Sequence, residues 1–180
     1  MPHSSSEGKS WIVERVTALQ PRQVLDIGAG AGTYADLLRP RLPDARFTAV
    51  EVFEPYVGRF NLRAKYNEIL IGNALDLVLP YADVVILGDV LEHLVYREAL
   101  ELWAQARVAA TKAVFLSLPI VPYPQGAVDG NEHEAHLHTW SFRSVVNNLP
   151  GICGSHAGSE IGVFQGAPFG RLPSSKVILP

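Results

Sequence analysis

Residues 24–38, VLDIGAGAGTYADLL, constrain the chain more than any other stretch. A short apolar run carrying the acidic Asp26 leads into three alternate glycines, Gly28, Gly30 and Gly32, and then into helical spacing. A turn from strand to helix needs one glycine. Three at alternate positions let backbone approach a ligand closely and present amide groups at the helix start to it. The segment therefore predicts a buried strand, a ligand-binding loop and a helix, the opening unit of an α/β fold. The dinucleotide fingerprint wants G-x-G-x-x-G, but the sixth position from Gly28 is Thr33 and the third glycine comes early, at Gly32. That spacing opposes an NAD(P)-dependent oxidoreductase, which stays as the competing enzyme reading. A non-catalytic scaffold built on the same cofactor fold is the third.

Further short apolar runs at 47–50, 69–71, 84–87 and 114–118 read as buried strands. Stretches of helical spacing separate them, clearest at 96–109, where Leu100, Trp103 and Val108 are expected to face a sheet and Arg97, Glu98 and Glu101 to face water. Strand and helix in alternation indicate parallel βαβ units. An earlier helix carries Trp11, Ile12, Val16 and Leu19 on one face and stops at Pro21. Ser141 is a candidate N-cap for a helix running to Leu149, ended by Pro150 and Gly151. In the tail, 161–164 and 177–179 are expected to form a closing pair of strands.

Composition narrows the function classes. At 180 residues the chain is expected to be a single domain, 1–180, with a loose polar start at 1–10. Lys and Arg total 15 against 18 Asp and Glu, a net charge of -3, so nucleic acid as a partner is not supported. No run near the ~18 apolar residues of a membrane span occurs. The single cysteine, Cys153, can form no internal disulfide, and the start MPHSSSEGKS lacks a secretory signal, so the expected compartment is the cytoplasm.

The D-x-G-x-G-x-G of Asp26, Gly28, Gly30 and Gly32 resembles the first motif of the class I S-adenosylmethionine-dependent methyltransferases, in their small-molecule branch. The resemblance implies that this loop wraps the methionine part of the cofactor and that an acid ending the second strand takes the ribose hydroxyls. Glu51 in TAVEV, about 20 residues past Gly32, is the matching acid. For the adenine, IGNAL supplies Asn73 and Ala74, with Asn73 where the family usually has an acid and Asp76 as the alternative. ADVVILGDVLEHL, residues 82–94, resembles the fourth motif, with Asp89, Glu92 and His93 as its polar positions, and HLHTWSF, residues 136–142, resembles the segment after the fifth strand. The likeness covers about residues 22–149.

It implies an α/β three-layer sandwich with a Rossmann-like, mostly parallel seven-stranded sheet of order 3-2-1-4-5-7-6, the last strand antiparallel. The implied activity is methyl transfer from S-adenosylmethionine, leaving S-adenosylhomocysteine, to an oxygen or nitrogen of an unidentified small-molecule acceptor. No Asn/Asp-Pro-Pro-aromatic motif and no cap domain narrow the acceptor, and a homodimer partner is one way to present it. If the acceptor must lose a proton, His136, His138 or Asp89 can take it, Asp89 also lying at the cofactor.

Residues 119–139 show neither period and form a long loop, expected to close over the reacting methyl. Its Asp129, Glu132, His133, Glu134, His136 and His138 raise a metal reading, because His136-x-His138 on extended backbone points both rings one way. Without cysteine or strict ligand spacing, the expectation is a polar lid and no metal.

Overall fold

The computed structural model describes residues 5–170. Its backbone of strands runs β1 (Gln23–Ile27), β2 (Arg46–Glu51), β3 (Glu68–Ile71), β4 (Ala82–Gly88), β5 (Ala110–Pro119), β6 (Ile152–Ala157) and β7 (Ile161–Gly166). They form one sheet of order β3-β2-β1-β4-β5-β7-β6. Pairings from β3 through β5 are parallel, and β7 runs antiparallel to both β5 and β6. The expected order and the antiparallel last strand are both present.

The central strands are apolar without interruption because both faces of the sheet are covered. In β4, Val84 and Ile86 pack on one side while Val85 and Leu87 pack on the other; β5 divides Phe115 from Val114 and Leu116 in the same way. One face is closed by α1 (Lys9–Ala18), α2 (Thr33–Leu38), α3 (Pro55–Arg59) and α4 (Leu62–Lys65). The other is closed by α5 (Tyr96–Ala109) and α6 (Phe142–Asn148).

Several expectations are corrected. In α5 the buried face is Ala99, Leu102, Trp103 and Ala106, whereas Val108 is 53% exposed. Small alanines let this helix lie close to the sheet, and Trp103 reaches under β7, where a Cβ on Gly166 would meet its ring. The closing strands are β6 and β7, not 161–164 with 177–179; the latter segment lies outside the described residues. Residues 152–157 escape a hydropathy reading because β6 is an edge strand, mostly half-exposed, and needs little apolar surface. Lys9 and Ser10 of the expected loose start belong to α1. Just before it, the Glu7 carboxylate accepts from the backbone N–H groups of Ser159, Glu160 and Ile161, tying this segment to the β6–β7 turn. Those donors hold its pKa down at about 2. The Ser141 cap is present as a reciprocal pair: Ser144 N–H donates to the Ser141 hydroxyl, and Ser141 N–H to the Ser144 hydroxyl.

Candidate functional site

Over the carboxyl ends of β1, β2 and β4 lies a cavity of about 440 Å³. It opens where the strand order reverses, with β1 between β2 and β4. Among the predicted residues, Asp26, Gly28, Gly30, Glu51, Asn73, Ala74, Asp89 and His136 line it. Two do not. Gly32 starts α2 at φ 77, and a Cβ there would meet the Lys65 and Leu62 side chains. Its glycine requirement is internal packing. His138 lies against Tyr96 and Trp140, at ring-centroid distances of 5.2 and 4.8 Å, and lines a separate groove instead. His136 and His138 therefore do not share a site. Asp76 is absent from the lining, and Asn73 is exposed at the rim with its side-chain oxygen accepting from Leu75 N–H.

The glycine loop turns back on the second strand. Gly28 and Gly30 both have positive φ, 71 and 51, and Gly28 N–H donates to the Val50 carbonyl. Glu51 accepts from Gly30 N–H at 2.8 Å on one oxygen and from Phe53 N–H at 2.9 Å on the other. Burial raises its pKa against the opposing pull of those amides. Each carboxylate oxygen keeps a further acceptor position.

Asp89 sits past the end of β4 with φ 56, a left-handed conformation that few non-glycine residues adopt and that marks sites where surrounding contacts hold the chain. Its N–H donates to the Ser117 carbonyl, and the Ser117 hydroxyl donates back to its carboxylate at 3.1 Å. Because the one hydroxyl proton of Ser117 is used there, Tyr34, 3.1 Å away, must donate to Ser117. Burial lifts the Tyr34 pKa, keeping that proton in place. The Tyr34 ring lies over Gly88, leaving no room for a Cβ. From α1, Lys9 places its ammonium 3.9 Å from Asp89 while being only 6% exposed. Desolvation pulls its pKa down, and Asp89, Asp26 and Glu92 pull it back up. Lys9, Tyr34 and Ser117 carried no sequence signal, since each is an ordinary residue of its own element.

Asp26 is 2% exposed and accepts a hydrogen bond from the Tyr66 hydroxyl. Burial pushes its pKa up to about 7, with the Glu51 charge adding and the Tyr66 bond and Lys9 opposing. In the unfolded chain it ionises near 3.8, so the folded state keeps a proton that the unfolded state releases between those values. This contribution to stability is full below pH 3.8 and is lost as pH rises toward 7. Asp26→Asn keeps the shape and an acceptor for Tyr66, and is expected to be roughly 1 to 4 kcal/mol more stable than the parent at pH 8. At about pH 3, below the unfolded value, the two should nearly coincide. Urea denaturation at the two pH values checks this.

The 119–139 loop lies across the mouth, held at several points. Leu137 and His138 N–H groups donate to the Glu92 carbonyl, the Tyr56 hydroxyl donates to Glu134 at 3.0 Å, and Arg59 pairs with Asp129 at 2.8 Å. Its Asn131 is buried and caps the 3-10 turn by accepting from His133 N–H. This brings His136 against His93, with ring centroids 4.8 Å apart, beside the buried Glu92. Burial lowers both histidine pKa values, so the neutral rings are favoured.

The sheet order, with a cavity at its switch point floored by a glycine loop and an acid on β2, defines a Rossmann-like cofactor-binding fold of the methyltransferase type. Residues 25–112 match the family described as a methyltransferase domain. Over that stretch the chain is similar to methyltransferase domains, and its sheet order is that of the class I methyltransferase fold. No curated protein matches it by sequence.

Solved structures share the fold. An O-methyltransferase family protein from Burkholderia thailandensis superposes with TM-score 0.63 at 19% identity, covering 93% of this chain and 57% of that one. The O-methyltransferase NcsB1 from neocarzinostatin biosynthesis, solved with S-adenosylhomocysteine and 1,4-dihydroxy-2-naphthoic acid, gives 0.60 at 16%, covering 85% and 50%. The N-terminal domain of EvdMO1, solved with S-adenosylhomocysteine and D-fucose, gives 0.63 at 16%, covering 92% and 84%. The chain thus spans about half the length of the first two. Among the described residues no helix is long and apolar enough to cross a membrane.

Proposed function

We propose that this chain is one S-adenosylmethionine-binding domain that transfers a methyl group to a small-molecule acceptor, at oxygen in preference to nitrogen. The observation that carries the reading is Glu51, bound by the Gly30 amide inside the cavity and retaining acceptor capacity on both oxygens. A ribose offers two adjacent hydroxyl donors to such a carboxylate. The cavity volume of about 440 Å³ falls within the usual ~300–1,000 Å³ of ligand sites. S-adenosylmethionine supplies an electrophilic methyl on a sulfonium.

The rest falls to the chain's own residues. Gly30 keeps the floor free of a side chain, Gly28 makes room for the Val90 side chain beside it, and Glu51 and Asn73 fix the nucleoside from two sides. Asp89, held by Ser117 and Lys9, faces the same cavity and is positioned to orient the cofactor's amino-acid end. Holding an acceptor in line with the methyl supplies much of the rate, since aligned groups react as one molecule. A hydroxyl acceptor must also lose a proton, and His136, neutral and on the cavity wall, is the residue placed to take it. Of the structures of similar fold, one is a complex with an aromatic acid and another was solved in the presence of a sugar, both compounds bearing hydroxyls, which supports oxygen as the acceptor atom.

Isothermal titration with S-adenosylhomocysteine and with NAD tests the reading: the first should bind and the second should not. Glu51→Ala should weaken S-adenosylhomocysteine by roughly 1.5 to 3 kcal/mol, the range for hydrogen bonds to a charged group. Parental affinity in both Glu51→Ala and Glu51→Gln would remove Glu51 from the site.

A further inference from the structure

Glu92 sits on the 3-10 turn Leu91–His93 after β4, 2% exposed, and neither carboxylate oxygen is hydrogen-bonded to another residue. Buried acids are ordinarily paired, since an unsatisfied one carries the full cost of leaving water. Nearby charges do not relieve it: Asp89 and Glu134 add negative field, and Lys9 alone opposes them. What the carboxylate does face is two imidazoles. One ligand atom from each of Glu92, His93 and His136 lies within 4.8 Å of the others.

The histidines are oriented by backbone. His93 Nδ1 is 3.2 Å from the Ala135 carbonyl and His136 Nδ1 is 2.6 Å from the Tyr123 carbonyl. A carbonyl only accepts, so Nδ1 carries the hydrogen in both rings and each Nε2 keeps its lone pair. This is how metal-ligating histidines are held: one nitrogen donates to a fixed oxygen, setting the tautomer and the aim of the other. Both carbonyls belong to the 119–139 loop, so the loop's course and the ring orientations are one arrangement.

We propose that Glu92, His93 and His136 bind a divalent first-row transition-metal ion in the wall of the cavity. Two imidazoles and one carboxylate without thiolate form a donor set for zinc, cobalt, iron or manganese, and three protein ligands leave positions open toward the cavity. Bonds of about 2.0 to 2.2 Å to each ligand require the donors to draw about an ångström closer, within reach of side-chain rotation. The ligands come from both sides of the long loop, Glu92 and His93 before it and His136 within it, which is why the 129–138 cluster alone did not present the site. If the methyl-transfer reading holds, on which this role rests, an acceptor hydroxyl bound there ionises more readily. Its proton goes to solvent, its oxygen lone pair forms the bond to the methyl carbon, and the carbon–sulfur pair stays on sulfur.

The test uses the full chain free of any tag, stripped with EDTA and titrated with zinc, manganese and magnesium chlorides. Bound metal is then counted by mass spectrometry after gel filtration. The expected result is one ion per chain, zinc bound more tightly than manganese and manganese more tightly than magnesium. Glu92→Gln, His93→Gln and His136→Gln should each weaken zinc at least tenfold, and His138→Gln should bind as the parent. Circular dichroism and S-adenosylhomocysteine titration of the stripped proteins show that the variants are folded. Failure of the parent to retain an ion, or parental zinc affinity in folded Glu92→Gln and His136→Gln, overturns the site. Absence of S-adenosylhomocysteine binding with zinc retained would strike the transfer reading and leave the metal site standing.

Discussion

Replacing Gly30 by valine is expected to abolish S-adenosylhomocysteine binding, a loss of at least a hundredfold, while far-UV circular dichroism stays near that of the parent. Gly30 has φ 51 and lines the cavity. A β-branched side chain in that left-handed region is strained by roughly 1 to 2 kcal/mol, a cost the whole fold can absorb. The ligand cannot absorb it, because the added methyls occupy the floor on which it must lie. The same change also disturbs the Gly30 N–H bond that aims Glu51. Calorimetric titration decides the matter: a folded Gly30→Val chain with parental affinity would show that the loop is a turn and nothing more. Gly32 offers a contrast, since its Cβ would strike Lys65 and Leu62 on the helix side. Gly32→Ala should therefore act mainly on stability.

That contrast shows what sequence can and cannot reveal. The alternate glycines in 28–32 announce a loop where backbone must pass close to something, yet spacing cannot tell whether the neighbour is ligand or helix. The sheet was legible because β1, β4 and β5 are buried on both faces and so are apolar at nearly every position. β6 was not, because an edge strand has no such demand. Within the site, Asp26, Gly28, Gly30 and Glu51 follow one another through a single βαβ unit, and local spacing finds them. Lys9, Tyr34, Tyr66 and Ser117 come from separate elements and meet only through the packing of α1, α2 and α4 against the sheet, which no short motif records. Glu92 and His93 were visible as polar positions, but their partner His136 was visible only as one of several loop histidines. The fold makes the selection between them.

Substituting His136 by asparagine is expected to lower methyl transfer about 10²- to 10⁴-fold, the usual contribution of a group that handles a proton in the transition state, with S-adenosylhomocysteine affinity near parental. The same substitution at His138 should leave turnover close to the parent. From sequence the two are equivalent, two residues apart on one segment. In the structure His136 lines the cavity beside His93 and Glu92, while His138 is turned into the groove under Tyr96 and Trp140. Whether His136 takes the acceptor's proton itself or holds an ion that does so, its imidazole acts at the reacting oxygen, and asparagine supplies neither a base nor a comparable ligand. The measurement is a single-turnover rate with an acceptor found by screening small hydroxylated compounds for methylated product. Equal losses in both variants would mean that the loop contributes through its overall shape. A parental rate in His136→Asn would leave alignment of acceptor and methyl as the whole of the catalysis.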